Sequence, residues 1–156
     1  MRRKDRCVED KKEILEIIKK CEVCYLAFQD EEYPYIVPLN FGVSVKEGTF
    51  ELYFHCARVG KKLDLMRANP KVAFSMSCSH TLHLKETACN STMEFESVCG
   101  NGLLEELGEG EKAKALNLLM KQYSKREDYT FPEQELRAVA VLKLTVREII
   151  GKRLVK

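Results

Sequence analysis

The sequence predicts a mainly β fold: a small antiparallel barrel of six strands, with three helices that pack outside the barrel and close its ends. Two observations lead to this prediction. Between residues 23 and 56, connections of only a few polar residues join consecutive β-rich runs, which is typical of antiparallel strands in a meander. The segments with helical periodicity do not alternate regularly with the strands, and a parallel βαβ sheet is therefore excluded.

The first element is an amphipathic helix over residues 10–20. Its apolar stripe, at helical spacing among lysines and glutamates, consists of Ile14, Leu15, Ile17 and Ile18. Asp10 is a suitable N-cap, and Glu13, three residues later, completes a capping box. We expect this helix to cover a larger β structure.

Three strands follow, over residues 23–28, 33–45 and 49–56, and short polar turns separate them. In the third run, apolar residues alternate on one face, as in a half-buried strand. Pro38 lies inside the second run and has no backbone N–H to donate to a ladder. We therefore expect an edge or a bulge at Pro38, where a backbone group is free to meet a ligand.

The rest of the chain supplies two helices and three strands. We expect a short helix over residues 58–69, ended by Pro70, and a second amphipathic helix over residues 111–124. The predicted buried side of the later helix consists of Ala113, Leu116, Leu119, Met120 and Tyr123. The other predicted segments are strands over 72–76 and 136–146, a polar stretch without clear period over 77–91, and a loop over 129–135. Residues 92–107 are predicted to form either one long strand or two strands joined by Gly100-Asn101-Gly102.

Length and composition narrow the classes of function. The chain has 156 residues, and we expect a single domain over residues 1–156. The net charge is only +2, whereas nucleic-acid-binding proteins typically have a clustered excess of basic residues. No apolar run reaches the roughly 18 residues of a membrane span, and the charged start has no apolar segment behind it. We therefore expect a cytoplasmic protein that binds neither nucleic acid nor membrane.

The seven cysteines predict free thiols. Their number is odd, and a chain of this length needs no disulfide framework. Cys21 and Cys24 form a C-x-x-C pair, but no second pair accompanies them. We therefore interpret Cys24 as a small core hydrophobe rather than as part of a redox or zinc site.

The segment over residues 53–62 is the first candidate site. A strand ends there, a glycine-containing turn follows and a helix begins, and the free N–H groups of a helix N-terminus suit a phosphate. Lys61 and Lys62 stand at that end, where cations oppose the helix dipole by about 0.3–1 kcal/mol each unless an anion binds. With Arg58 and Gly60 beside them, they form either a phosphate cradle or a solvated basic turn, and the pattern alone does not decide between the two.

Asn40 and His55 are further candidates. Asn40 lies in an apolar run beside Pro38, so its amide needs partners, and either a neighbouring turn or the edge of a flat heteroaromatic ring would supply them. Composition alone favours the turn. His55 lies at the end of a strand beside the suspected phosphate turn, where an imidazole suits general acid–base chemistry or substrate binding. A hydrogen-bonded structural histidine at the barrel rim is the alternative.

Four residues of the polar stretch are of the types that bind zinc: Cys78, His80, His83 and Cys89. Their spacing, C-x-H-x₂-H-x₅-C, matches no common structural zinc site. We therefore predict no metal site in this chain.

Several motifs follow one another in order over residues 1–102. They are the opening MRRKDR, PYIVPLNFG at residues 34–42, LYFHCA at 52–57 followed by Gly60-Lys61, and ACNSTM at 88–93 followed by ESV at 96–98. Together they resemble the Nim-type (nitroimidazole-resistance-related) proteins of the pyridoxamine-5′-phosphate-oxidase-like, FMN-binding split-barrel superfamily. The helix and final strand beyond residue 102 are compatible with this resemblance.

The resemblance implies a six-stranded antiparallel split barrel of the flavin-reductase and pyridoxamine-phosphate-oxidase type, usually a homodimer with FMN at the dimer interface. The implied cofactor-binding residues are Pro38, Leu39, Asn40, His55, Ala57, Gly60, Lys61, Lys62, Ser97 and Val98. In this pattern the phosphate would be held by Ala57, Gly60, Lys61 and Lys62, without a role for Arg58, and the run from 38 to 40 would lie along the isoalloxazine ring. Ser97 and Val98 would contribute from the later strand, and His55 would be the catalytic residue on the substrate side of the flavin.

These inferences predict an FMN-dependent oxidoreductase that reduces small, electron-poor, nitroaromatic-like substrates. One alternative is a non-catalytic protein that carries flavin or a haem-type cofactor, and a third is a metal-dependent regulator that uses His80, His83 and nearby cysteines. Gly100-Asn101-Gly102 lacks the third glycine and the strand–helix context of a nicotinamide fingerprint. We therefore expect a nicotinamide or other external reductant to dock transiently over the ring.

Overall fold

The computed structural model describes residues 3–126 and 128–155. Met1 and Arg2 of the opening motif therefore lie outside the described residues. The strands are β1 (Cys7–Val8), β2 (Cys24–Phe28), β3 (Tyr35–Leu39), β4 (Gly42–Lys46), β5 (Thr49–Ala57), β6 (Lys71–His83), β7 (Thr92–Glu106) and β8 (Val139–Leu154). The helices are α1 (Lys11–Lys20), α2 (Lys61–Ala68), α3 (Glu109–Tyr123) and α4 (Glu133–Ala138), and short 3₁₀ turns lie at Lys4–Arg6 and Ala88–Asn90.

The strands form one antiparallel sheet in the order β3-β2-β6-β7-β8-β5-β4, and β1 pairs with β8 beside this path. β3 and β4 form the two ends of the path although they are consecutive in the chain, so Asn40 and Phe41 connect the two edges of the barrel. The predicted mainly β, antiparallel split barrel is confirmed. The described residues contain eight strands rather than six, because the predicted strand over 33–45 divides in two and β1 is added.

Pro38 lies on an edge, as its sequence context predicts. β3 is the last strand of the sheet path, and its pairing with β2 continues without a bulge, with Pro38 opposite Tyr25. The chain turns only after Leu39, where Phe41 is fully buried and its N–H donates to Tyr123 Oη (2.9 Å). Gly42 then passes so close to α3 that a Cβ would lie 2.5 Å from the backbone of Leu118.

Two predicted boundaries in the second half of the chain are wrong. β6 continues through the polar residues to His83, because its ladder with β7 resumes after a bulge between Cys78 and Thr81. The predicted loop and the start of the last strand instead contain α4, and β8 begins at Val139 and continues to Leu154. The charged second half of β8 keeps its strand form because β7 pairs with it as far as Leu154.

The core fills the barrel, and α1 packs against it through Ile14, Ile17 and Ile18. The Asp10 carboxylate accepts hydrogen bonds from the backbone N–H groups of Lys12 and Glu13, which confirms the predicted N-cap. Cys24 is fully buried in this core, as predicted for a small hydrophobe, and burial raises the pKa of its thiol. No helix in the described part of the chain is long and apolar enough to cross a membrane.

The predicted buried side of α3 is confirmed only in part. Leu119 is buried as predicted, and Ala113, Leu116 and Met120 are half-buried, but Tyr123 is exposed and the other two buried residues are Lys112 and Ala115. Lys112 is only 2% exposed, and its ammonium donates to the carbonyl oxygens of Leu136 (3.0 Å) and Val139 (2.7 Å). The buried lysine therefore adds polar contacts from α3 to α4 and to the start of β8, which a pattern of apolar residues does not predict.

Candidate functional site

The turn between β5 and α2 has the geometry of an anion site. Gly60 is the N-cap of α2, with φ +139°, and a Cβ built on it would meet nothing within 4 Å. Residues other than glycine rarely adopt this backbone conformation, so glycine is favoured at position 60 even though a side chain would have space there. The Gly60 carbonyl accepts from the N–H of Leu63 (2.9 Å), and the first N–H groups of a helix have no acceptor within the helix. The turn therefore offers open space in front of a helix N-terminus.

Lys61 already has an anionic partner. Its ammonium lies 2.5 Å from Asp30 Oδ2 and 5.3 Å from the ring centre of Tyr35. The hydrogen bond with Asp30 raises the pKa of Lys61 and lowers the pKa of Asp30, so both groups are charged at neutral pH. The cavity of about 370 Å³ beside Lys61 is also lined by Glu31 and Glu32. A phosphate that binds Lys61 must therefore compete with a carboxylate.

The other basic residues of the turn differ from Lys61. Lys62 is half-buried, and its positive charge lies near the thiol of Cys56. Burial raises the pKa of this thiol, and the charge of Lys62 partly opposes the increase. Arg58 donates to the carbonyl of Arg137 (2.9 Å) and lies 3.9 Å from Glu109. Arg58 thus connects the turn to α3 and α4.

The predicted ring-binding residues lie along the edge strand that starts at Tyr35. Asn40 is five positions after Tyr35, a distance of about 17 Å along the strand at roughly 3.3 Å per residue. Pro38 is exposed and Leu39 is half-buried. The exposed Asn40 amide donates to the carbonyl of Glu22 (3.3 Å), as the turn alternative for this residue suggests. The structure therefore places Lys61 and Asn40 at opposite ends of one edge.

A second cavity, of about 410 Å³, lies on the outer face near this edge. Its walls are Lys20, Glu22, Val23, Tyr25, Ser77, Cys78, Ser79 and His80. Tyr25 is directly opposite Pro38, and Ser77 is directly opposite Ser97, so Pro38 and Ser97 flank the strands that form the cavity. Val98, in contrast, is fully buried in the core, and only its backbone could meet a ligand.

A buried ion-pair cluster lies beside this cavity and was missed by the sequence interpretation. Glu96 is 4% exposed, and its carboxylate accepts from Lys20 Nζ (2.7 Å), Arg153 Nε (2.7 Å) and Ser79 Oγ (3.0 Å). Ser79 lies in the bulge of β6 with φ +57°. The sequence did contain a signal for this cluster. Side chains two positions apart in a strand lie on the same face, so Glu96 lies on the same face of β7 as the core residue Val98.

His55 lies elsewhere in the single chain. Its exposed side chain is on the outer face of β5, opposite Val141, and it contributes to a largely apolar cavity of about 220 Å³. The other walls are Leu116, Leu119, Met120, Phe131, Glu135, Leu136 and Val139. The predicted ring residues are not among these walls in the part of the chain that the structure describes. The predicted role of His55 beside a flavin therefore stays a prediction.

The four zinc-type residues lie in different surroundings. Cys78 is buried with its Sγ 3.8 Å from the carbonyl oxygen of Ile17, His83 Nε2 lies 3.1 Å from Glu94, and Cys89 is exposed. Within residues 3–126 and 128–155, no three His, Cys, Asp or Glu side chains are grouped so that they could hold a metal ion.

A family model described as pyridoxamine 5'-phosphate oxidase matches residues 10–153 of the chain. The chain belongs to this family. In this pyridoxamine 5'-phosphate oxidase family member, the match covers β2 to β7, β8 up to Arg153, the Gly60 turn and the Glu96 cluster, whereas β1 lies before it. No curated protein sequence matches the chain significantly.

Solved structures agree with this family membership. A candidate 5-nitroimidazole antibiotic resistance protein from Bacteroides thetaiotaomicron VPI-5482 is 31% identical, with 94% of this chain and 86% of that chain covered and a TM-score of 0.82. The flavocytochrome Anf3 from Azotobacter vinelandii is 20% identical, with 100% and 72% covered and a TM-score of 0.83. The FAD and heme binding protein from Mycobacterium smegmatis is 17% identical, with 95% and 73% covered and a TM-score of 0.82. At their low identity, the last two show a shared fold alone.

Proposed function

We propose that this pyridoxamine 5'-phosphate oxidase family member binds FMN and reduces small, electron-poor substrates of the nitroaromatic type. One observation carries the proposal: an open glycine turn at a helix N-terminus leads, through Lys61 and Tyr35, onto an edge strand with exposed residues. The 31% identity to a candidate nitroimidazole resistance protein supports the substrate class.

The residues of the turn fit a flavin phosphate. Gly60 leaves space for an anion, and the first turn of α2 supplies N–H groups with Lys61 and Lys62 beside them. In the proposal, Ala57 and these residues hold the phosphate, whereas Pro38, Leu39 and Asn40 orient the ring. A flavin held there would supply the electron chemistry, and a nicotinamide or other external reductant would dock transiently.

Within one chain, Ser97 lies too far across the sheet from β3 to contact a flavin ring held along that strand. Lys61 and Asn40 are separated by the length of β3, and Ser97 lies three strands further across the sheet, about 14 Å at roughly 4.8 Å per strand. We therefore propose a homodimer in which the second copy supplies Ser97 and Val98. The outer face around Tyr25, which is 49% exposed, would form the contact.

The same arrangement would give His55 its role. In one chain its imidazole faces an apolar cavity under α3 and α4. In the proposed dimer, the ring residues of the second copy bring a flavin to this cavity, where His55 would hold or donate a proton to the substrate. A Tyr25→Asp variant, measured by size-exclusion chromatography with light scattering, should shift from dimer to monomer and lose FMN.

The function is tested by the absorption spectrum of the purified protein, before and after addition of FMN. Bands of bound flavin, with FMN as the molecule released on heating, would support the proposal. Anaerobic addition of a reduced nicotinamide should then bleach these bands, and a nitroaromatic compound should restore them. A protein that neither contains nor takes up FMN would refute the proposal.

A non-catalytic cofactor carrier is the second candidate function. The observation in its favour is the exposed imidazole of His55 beside a largely apolar cavity, because a histidine next to apolar walls is a common haem-binding arrangement. Two proteins that share the fold are described as a flavocytochrome and as an FAD and heme binding protein. Haem titration followed by its Soret band tests this candidate, and the band should not form in His55→Ala.

A further inference from the structure

Asp30 has two partners beside the proposed phosphate site. One carboxylate oxygen accepts from the N–H of Glu31 (3.0 Å), and the other lies 2.5 Å from Lys61 Nζ. The Asp30 side chain is only 20% exposed, whereas the Lys61 side chain is 56% exposed. Both oxygens of this carboxylate therefore have partners, and the lysine is the more accessible group of the pair.

The surroundings of Lys61 are unusual for a phosphate ligand. Glu31 and Glu32 line the same cavity as Asp30 and Lys61, so this cavity has three carboxylates and one ammonium in its walls. A cation at a helix N-terminus is unfavourable without an anion, and Asp30 supplies that anion from within the chain. A phosphate would therefore have to displace Asp30 from Lys61, or bind in spite of its negative charge.

We propose that Asp30 sets the cofactor selectivity of this site by competing with the ligand's phosphate for Lys61. This inference rests on the proposed function, since it concerns the same flavin site. The ring contacts along β3 do not involve Asp30, so its charge acts on the phosphate alone. The chain consequently discriminates less between FMN and phosphate-free riboflavin than its two lysines would allow.

The experiment compares the Kd of FMN and of riboflavin, measured by flavin fluorescence, in wild type and Asp30→Asn. We expect FMN to bind about two- to fivefold more tightly to the variant, in line with the strength of exposed ion pairs, and riboflavin to bind equally to both. Glu32→Gln is the matched control. Like Asp30→Asn, it removes one negative charge from the segment between β2 and β3, but Lys61 keeps its partner Asp30. It should change the Kd of FMN less than Asp30→Asn does.

A double-mutant cycle identifies the path of the effect. In a Lys61→Ala background, Asp30→Asn should no longer improve FMN binding, because the group for which Asp30 competes is gone. An unchanged or weaker affinity of Asp30→Asn for FMN, with wild type binding normally, would overturn the role of Asp30 and leave the proposed function intact. A wild type that binds no FMN would overturn both. A general loss of structure would lower the affinity for riboflavin as well, and thermal unfolding of each variant detects it.

Discussion

Glu96 and Lys61 each take part in an ion pair, but their settings are opposite. The Glu96 carboxylate is buried and accepts from Lys20, Arg153 and Ser79. Lys61 is exposed at the mouth of an open turn, and its anionic partner is Asp30. The Glu96 carboxylate is buried and already accepts three hydrogen bonds, so it is not available to bind a ligand. The exposed ammonium of Lys61, in contrast, can exchange one anion for another. The first pair therefore stabilises the barrel, and the second is suited to binding.

The largest effect should come from removing the buried charge. Glu96→Gln leaves two cations without their carboxylate, and we expect a loss of about 2–4 kcal/mol in the free energy of unfolding, less than for a fully enclosed pair because Lys20 and Arg153 are partly exposed. Urea unfolding measures this loss. Glu16→Gln, which breaks the exposed pair with Lys19, is the control and should lose less than about 0.5 kcal/mol. Equal losses in the two variants would show that burial is not the cause.

Acid should weaken the same cluster. Burial alone would raise the pKa of Glu96, but the hydrogen bonds from Lys20, Arg153 and Ser79 outweigh it, and the pKa lies below its ordinary value of 4.5. A lowered folded-state pKa contributes stability above the unfolded pKa, and this contribution is lost as the pH falls through the folded value. Below about pH 4.5, the free energy of unfolding should therefore fall more steeply in wild type than in Glu96→Gln. Parallel curves from urea titrations across this range would contradict the prediction.

Gly60 tests the other region. Gly60→Ala forces a side chain into φ +139°, and we expect a loss of about 1–2 kcal/mol in the free energy of unfolding, although the added methyl group has space. FMN should also bind more weakly, because the turn would change shape. Gly108→Ala is the matched control, since Gly108 is also a helix N-cap but has an ordinary φ of −68°. A Gly60→Ala protein as stable as the control would show that the turn tolerates other residues.

The smallest effect on stability should come from Lys61. Because its ion pair is exposed, Lys61→Ala should leave the thermal unfolding midpoint unchanged. It should nevertheless weaken FMN binding about three- to tenfold, as measured by fluorescence titration, because a charged hydrogen bond to phosphate is lost. Lys121→Ala removes an exposed lysine from α3 and should change neither quantity. Full retention of FMN by Lys61→Ala would assign the phosphate to Lys62 and the helix N–H groups.

Local signals in the sequence were sufficient for much of the fold. Asp10 caps α1 because its carboxylate needs only the next few N–H groups, and Pro38 marks an edge because it lacks a donor. The Gly60 turn was also visible, since a glycine before a lysine-rich helix start is a local pattern. These features depend on residues close in sequence, and they were therefore predictable.

Long-range polar contacts were not predictable from the sequence. Lys112 can be buried because carbonyl groups more than twenty residues away accept hydrogen bonds from its ammonium, and a periodicity of apolar residues does not detect such a position. Asp30 pairs with Lys61 although the two are far apart in the sequence, and no spacing rule predicts such a pair. The second half of β8 was missed because its charged residues do not show the apolar alternation of a strand. Its strand form depends on pairing with β7 and β1, which are distant in sequence.

The position of β8 also bears on how the chain acquires its fold. This strand is the last of the described strands along the sequence, yet it lies in the middle of the sheet and joins β7 to β5 and to the early strand β1. Contacts between distant parts of a chain slow folding, because long loops must close before any pairing is gained. The barrel cannot close before β8 has left the ribosome. Until then, the edges of β5 and β7 that pair with β8 remain unpaired. Until β8 pairs with them, these edges are open to mispairing with other chains.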